Sequence, residues 1–176
     1  MSSESDRLHE LYKRTLARGS TTTRGRALEN FVEEVFCSVS SVRLYERNVL
    51  DEDGAQEIDL VLSHYPAISN MPISDISIII ECKNDSRRTS AAEIREFGRK
   101  LRSRSLPVGI LVTTAGLSGR RGQHGHRAIS DELRGGVAII VTTTAELLSL
   151  KDPSEVAMLL FERLMELKTL RGYRTI

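Results

Sequence analysis

Two short apolar segments, "QEIDLVLS" (56–63) and "ISIIIECK" (76–83), constrain this chain more than anything else in it. The first alternates polar and apolar residues, the mark of a half-buried strand. The second is a run of isoleucines, apolar on both faces, as a central strand is. Alternate residues of a strand share a face. Glu81 and Lys83 therefore point one way, and Ile80 and Cys82 the other. In the same manner Glu57, Asp59 and Val61 lie opposite Ile58, Leu60 and Leu62. If the two strands are antiparallel neighbours, Asp59 and Glu81 meet at one end of the sheet, at the edge of an apolar core.

The rest of the chain supplies a frame for that pair. A short helix is expected over 5–18, and "GSTTT" (19–23) is a linker that caps the next helix, 24–39. Leu28, Phe31, Val32, Val35, Phe36 and Val39 form its apolar stripe. A strand over 41–50, a turn at 51–54 and a loop at 64–74 surround the 56–63 strand. A helix over 89–104 turns Ile94, Phe97 and Leu101 inward, with Arg95, Arg99, Lys100, Arg102 and Arg104 mostly elsewhere. Strands follow at 107–116 and 136–143, separated by a basic, glycine-rich loop (117–126) and a short helix (127–134). A helical turn at 145–150 precedes a last helix that opens at Pro153 and reaches about Leu170. Three successive strands and then alternation imply an α/β fold: a mixed sheet of about five strands with helices on both faces. With 176 residues, 40% of them hydrophobic, one domain accounts for the length.

A carboxylate at the edge of a core is costly alone, and two side by side repel. A divalent cation resolves both problems. Mg²⁺ takes few carboxylates, several waters and phosphate oxygens. Lys83, beside such an ion, can orient an attacking water and steady charge growing on phosphorus. The plainer account of Glu81 and Lys83 is a pair that neutralises itself, and the upstream "IDLVL" weighs against it. Glu57 shares the face of Asp59 and is the alternative ligand. No Cys/His spacing suits zinc.

With those residues named, "EIDLVL…SIIIECKN" resembles the PD-(D/E)xK, or restriction-endonuclease-like, nuclease superfamily. "RGRALENFVEEVF" is similar to the first helix of Mrr-type restriction endonucleases and of archaeal Holliday-junction resolvases. "VGILVTTAGLSG" and "VAIIVTTTAELLSL" resemble later strands of Mrr-like domains. The likeness spans about residues 24–150, with 1–23 an N-terminal helix and linker and 151–176 a C-terminal helix. It implies a Mg²⁺-dependent deoxyribonuclease, with Mn²⁺ as a substitute. The metal-binding Asp of the family maps onto Asp59, its acidic strand residue onto Glu81, its lysine onto Lys83 and its first-helix glutamate onto Glu29. Ile58 stands where the named motif has proline. On a helical wheel Glu29 borders the apolar stripe, which suits a metal ligand or orienter, or equally an ordinary edge residue.

Charge is uneven although the net is only +1. Residues 1–80 hold 8 Lys and Arg against 13 Asp and Glu, and residues 81–134 hold 12 against 6. A basic middle segment suits a polyanion. Arg87, Arg88, Arg95 and Arg99 form one candidate DNA-binding group; Arg120, Arg121 and Arg127 form a second, with His124 and His126 beside them. Few aromatic residues argue against base-stacking single-strand recognition. The last helix is apolar nearly all round, with Met158, Phe161 and Met165 opposite the side that meets the sheet. A second copy of the chain, or a larger defence complex that supplies target recognition, would cover it. No stretch suits a membrane span or a secretory signal, and two cysteines within apolar stretches fit a reducing cytoplasm. Three rivals to a restriction nuclease remain: a junction resolvase, a non-catalytic DNA-binding subunit, and a protein-interaction module built on the final helix.

Overall fold

The computed structural model describes residues 4–17, 19–50, 54, 57–119 and 123–170. Helices α1 (Glu4–Leu16) and α2 (Thr21–Cys37) precede a β-hairpin of β1 (Arg43–Leu50) and β2 (Glu57–Ser63). A single helical turn, α3 (Pro66–Ser69), interrupts the expected 64–74 loop and leads to β3 (Ser77–Lys83). Then come α4 (Ala91–Ser103), β4 (Val108–Thr113), α5 (Gln123–Arg134), β5 (Ala138–Thr143), α6 (Thr144–Ser149) and α7 (Pro153–Leu170). The proposed 51–54 turn lies, but for Gly54, outside the described residues, as do Arg120 and Arg121.

The five strands form one sheet in the order β1-β2-β3-β4-β5. β1, β2 and β3 are antiparallel, while β3, β4 and β5 are parallel. Parallel neighbours need crossovers, which α4 and α5 provide. Because both crossovers step the same way along the sheet, they lie on one face, where α4 and α5 pack together and against β4 and β5. α1, α2, α6 and α7 pack among themselves and cover the other face. The mixed α/β sheet flanked on both faces is the architecture the strand and helix periods imply.

Local chemistry explains the elements nearest the carboxylates. Ser20 caps α2 by accepting the Thr23 N–H. Its stripe of Leu28, Phe31, Val32, Val35 and Phe36 is buried, and the ring of Phe31 meets that of Tyr12 from α1 at 5.9 Å. Ser90 and Glu93 form a reciprocal capping box that starts α4. In β3, Ile78, Ile79 and Ile80 are all buried, each worth about 1.5–3 kcal/mol of transfer free energy. Gly109 of β4 gives α4 its close approach. A Cβ there would lie 2.5 Å from Leu101 Cδ1 and 2.8 Å from the Phe97 ring.

The end of β3 is tied down from three directions. Asn84 Nδ2 donates to the carbonyls of Thr15 (3.2 Å) and Arg24 (2.6 Å), anchoring it to the end of α1 and the start of α2. Thr114 donates its N–H and its hydroxyl to the Lys83 carbonyl. Thr89 and Thr113 bond through their hydroxyls at 3.0 Å. These links hold the chain leaving β3 against the end of β4. α5 begins four residues earlier than the 127–134 helix expected, so His124 and His126 sit in its first turns rather than in a loop.

Candidate active site

β2 and β3 pair with Leu60 opposite Ile80 and Leu62 opposite Ile78. One step further in that register Asp59 faces Glu81, and cross-strand partners share a face at Cβ separations of about 4.5–5.5 Å. The Asp59 carboxylate accepts the Cys82 backbone N–H at 2.6 Å through Oδ2. Lys83 Nζ donates to Glu81 Oε1 at 2.8 Å, which fixes Lys83 on the same face as both acids. Asp59, Glu81 and Lys83 line one open cavity of about 540 Å³, together with Glu57, Ala92, Glu93, Glu96 and Lys100. It opens at the C-terminal end of a parallel strand, where α/β sheets commonly bind ligands.

The electrostatics are those of a site short of positive charge. Burial, and then the nearby charge of Glu81, push the Asp59 carboxyl up from 3.8 to about 7, against the pull of the Cys82 N–H, Lys83 and Lys100. Burial disfavours the Lys83 ammonium, yet the charge and hydrogen bond of Glu81, with Asp59, outweigh it and hold the lysine above its ordinary 10.5. It is therefore a cation and not a base at neutral pH. Glu93 lies below its ordinary value. Its partial burial raises it, but hydrogen bonds from the Ser90 hydroxyl and backbone, with Arg87 and Lys83 nearby, lower it further.

Glu29 does not line this cavity. It stands on α2, where burial raises its carboxyl, Arg47 and Arg26 lower it, and Glu57 raises it. Among the described residues no three His, Cys, Asp or Glu side chains cluster as a ready-made metal cage. Two carboxylates plus water and phosphate oxygens nonetheless meet the coordination habits of Mg²⁺. The ion's residues would be Asp59 and Glu81.

The basic groups surround this centre unevenly. Arg87 reaches Asp85 and Glu93, both at 3.4 Å, and Arg99 pairs with Glu96 one turn away. Arg88 donates to the Gly119 carbonyl at 3.5 Å. Arg95 and Arg127 are exposed.

A family model for restriction endonucleases, of the Mrr catalytic type, matches residues 22–144. The chain belongs to the Mrr-type restriction endonuclease family. The match runs from the start of α2 to the end of β5, so it contains the whole sheet and every residue of the cavity. A comparison with curated proteins finds no match. Mrr-type membership makes the domain a restriction-endonuclease-type nuclease, a class that acts on DNA and generally uses divalent metals. No helix among the described residues is long and apolar enough to cross a membrane.

One resident of this Mrr-type site was missed by sequence reasoning. Lys100, grouped with the arginines lying mostly away from the inward stripe of α4, is buried and bonds both Glu81 oxygens at 2.9 Å. Its spacing held the signal. Lys100 follows Phe97 by three residues and Glu93 and Glu96 by seven and four, which sets all three polar residues on a stripe beside Ile94, Phe97 and Leu101.

Proposed function

We propose that this chain is a Mg²⁺-dependent DNA endonuclease whose ion is held by Asp59 and Glu81 and whose Lys83 serves the attacking water. The observation that carries this reading is the convergence of Asp59, Glu81 and Lys83 on one cavity, with the lysine ammonium 2.8 Å from Glu81. A bound divalent ion would lower the pKa of its water and polarise the phosphoryl group. Lys83, kept protonated by its acidic neighbours, orients that water and offsets charge on the phosphoryl oxygens. Asp59 must give up its proton to act as a ligand. Cys82 N–H holds its carboxylate toward the cavity while it does so. Glu57 lines the same cavity as the alternative carboxylate, and Glu29 is an outer residue whose charge acts through Glu57.

Residues 24–150 constitute the nuclease domain in this reading, preceded by an N-terminal helix and linker (1–23) and followed by a C-terminal helix (151–176) that serves the domain or a partner. Arg87, Arg88, Arg95, Arg99 and Arg127, with Arg120 and Arg121, contact phosphates and position the duplex without reading sequence. Exposed Met158, Phe161 and Met165 on α7 favour a second copy of the chain, which would pair two active sites for a double-strand cut. Restriction of foreign DNA in the cytoplasm, with target choice made by a partner subunit, is the role that fits. The test is cleavage of linear, nicked, branched and modified DNA by purified protein, with and without Mg²⁺. Asp59→Ala and Lys83→Ala should each abolish Mg²⁺-dependent cutting with circular dichroism unchanged. Cutting at the original rate by both would refute the assignment.

A further inference from the structure

Glu81 is bonded by two lysines. Lys83 already bonds Oε1 at 2.8 Å, and Lys100 bonds Oε1 and Oε2, each at 2.9 Å. A carboxylate has about four acceptor positions and an ammonium three donors. Three of the Glu81 positions are filled. All three Lys100 donors are also filled, because its Nζ meets the Glu57 carbonyl at 2.6 Å as well. Lys100 is 7% exposed and Glu81 3%, so this is a buried, fully bonded contact rather than a surface pair. It joins α4 to both strands that bear the acids. Neutralising Glu81 does not require it, since Lys83 is there. What it does is occupy both Glu81 oxygens, the atoms a cation shared with Asp59 would need, while its charge also acts on Asp59.

We propose that Lys100 is a resident counter-ion: it holds Glu81 in place before the metal arrives and surrenders that carboxylate when a divalent ion binds. This rests on the metal-dependent nuclease reading. In the metal-free protein Lys100 pins both Glu81 oxygens and adds to Lys83 in offsetting the charge beside Asp59. On metal binding, two charges arrive and one withdraws, so the exchange weakens affinity in the absence of DNA. The released ammonium lines the same cavity and is available to a phosphate oxygen. Lys100 is thus a positioning residue for Glu81.

The test is Mn²⁺ binding by calorimetry without DNA, on the full chain and on Lys100→Met, which keeps the stem and removes the charge. Removing a charged hydrogen-bonding competitor should tighten Mn²⁺ by about 10- to 100-fold. A merely structural lysine would leave the affinity unchanged or weakened. Wild-type protein provides a second measurement that needs no variant. Mass spectrometry after brief amine acylation should show Lys100 protected in chelator and acylated several times faster with Mn²⁺, while exposed Lys168 on α7 is unchanged. Mn²⁺ bound equally by both proteins, or Lys100 still protected in the Mn²⁺ complex, would overturn the exchange and leave the nuclease reading standing. If neither protein binds Mn²⁺, the metal-dependent reading falls and the exchange with it.

Discussion

Asp59→Asn should stabilise the metal-free protein, by an amount that grows as pH rises from about 4 to about 7. Asparagine keeps the shape and keeps an oxygen for the Cys82 N–H, but never ionises. In the folded chain the Asp59 carboxyl titrates near 7, against 3.8 for an ordinary aspartate. The folded state therefore binds more protons than the unfolded state between those values. Stability from this group is complete below the ordinary value and is lost as pH rises through about 7. At 1.36 kcal/mol per pKa unit, that gap of about three units corresponds to about 4 kcal/mol withheld from the wild type above pH 8. Glu57, Glu81, Glu93 and Glu96 face the same cavity with Lys83 and Lys100, and both proteins share them. The difference between wild type and variant reports that carboxyl together with its coupling to Glu81 and Lys83. Urea unfolding in chelator at pH 4, 5, 6, 7 and 8 measures it: the variant's advantage should be small at pH 4, about 1.5 kcal/mol at pH 5, and level off near about 4 kcal/mol above pH 7. Such a gain is a large part of the 5–15 kcal/mol typical of a domain. Stability curves that run parallel across that range would refute the account of Asp59 as a strained, cation-seeking acid. The same variant should bind Mn²⁺ poorly, so stability and function would move in opposite directions.

Metal binding should follow the same proton. Mn²⁺ affinity is expected to rise about tenfold per pH unit below 7 and flatten above it, as calorimetry in buffers of different ionisation heat would reveal through released protons. Gly109→Ala should destabilise by about 1–3 kcal/mol in thermal melts, because its methyl would press on Leu101 and Phe97, on the helix that carries Lys100. Arg95→Ala and Arg127→Ala should each weaken duplex binding similarly for unrelated sequences and lower the slope of log K against log salt by about one. Phe161→Asp with Met165→Asp should shift a dimer to monomer in light scattering, if α7 joins two copies.

Much of this arrangement is legible in local pattern. Period-two alternation puts Asp59 with Glu57 and Glu81 with Lys83, whatever the strands later pair with. The isoleucines of 78–80 demand cover on both faces, and α2 and α4 supply amphipathic stripes for it. The same logic separates Leu160, Leu164 and Leu167, which are buried on α7, from exposed Met158, Phe161 and Met165. The reading weakened where a residue's burial depends on a distant neighbour. Lys100 resembles the surface arginines around it until Glu81, nineteen positions away, is set against it. Glu29 borders an apolar stripe and resembles a site residue. It does not line the cavity beside Asp59, and its charge interacts with Arg26, Arg47, Glu57 and Cys82.

The division follows from the range of the forces. Helix and strand periods act over a few residues, so the order of residues along the chain was enough to establish most of the elements, the faces of their apolar side chains and the family. Registry between β2 and β3, the seating of α4 across both strands and the proton held by Asp59 depend on pairings between segments far apart in the chain. They also depend on the loss of water around charged groups. Neither exists until the sheet and its helices close over one another.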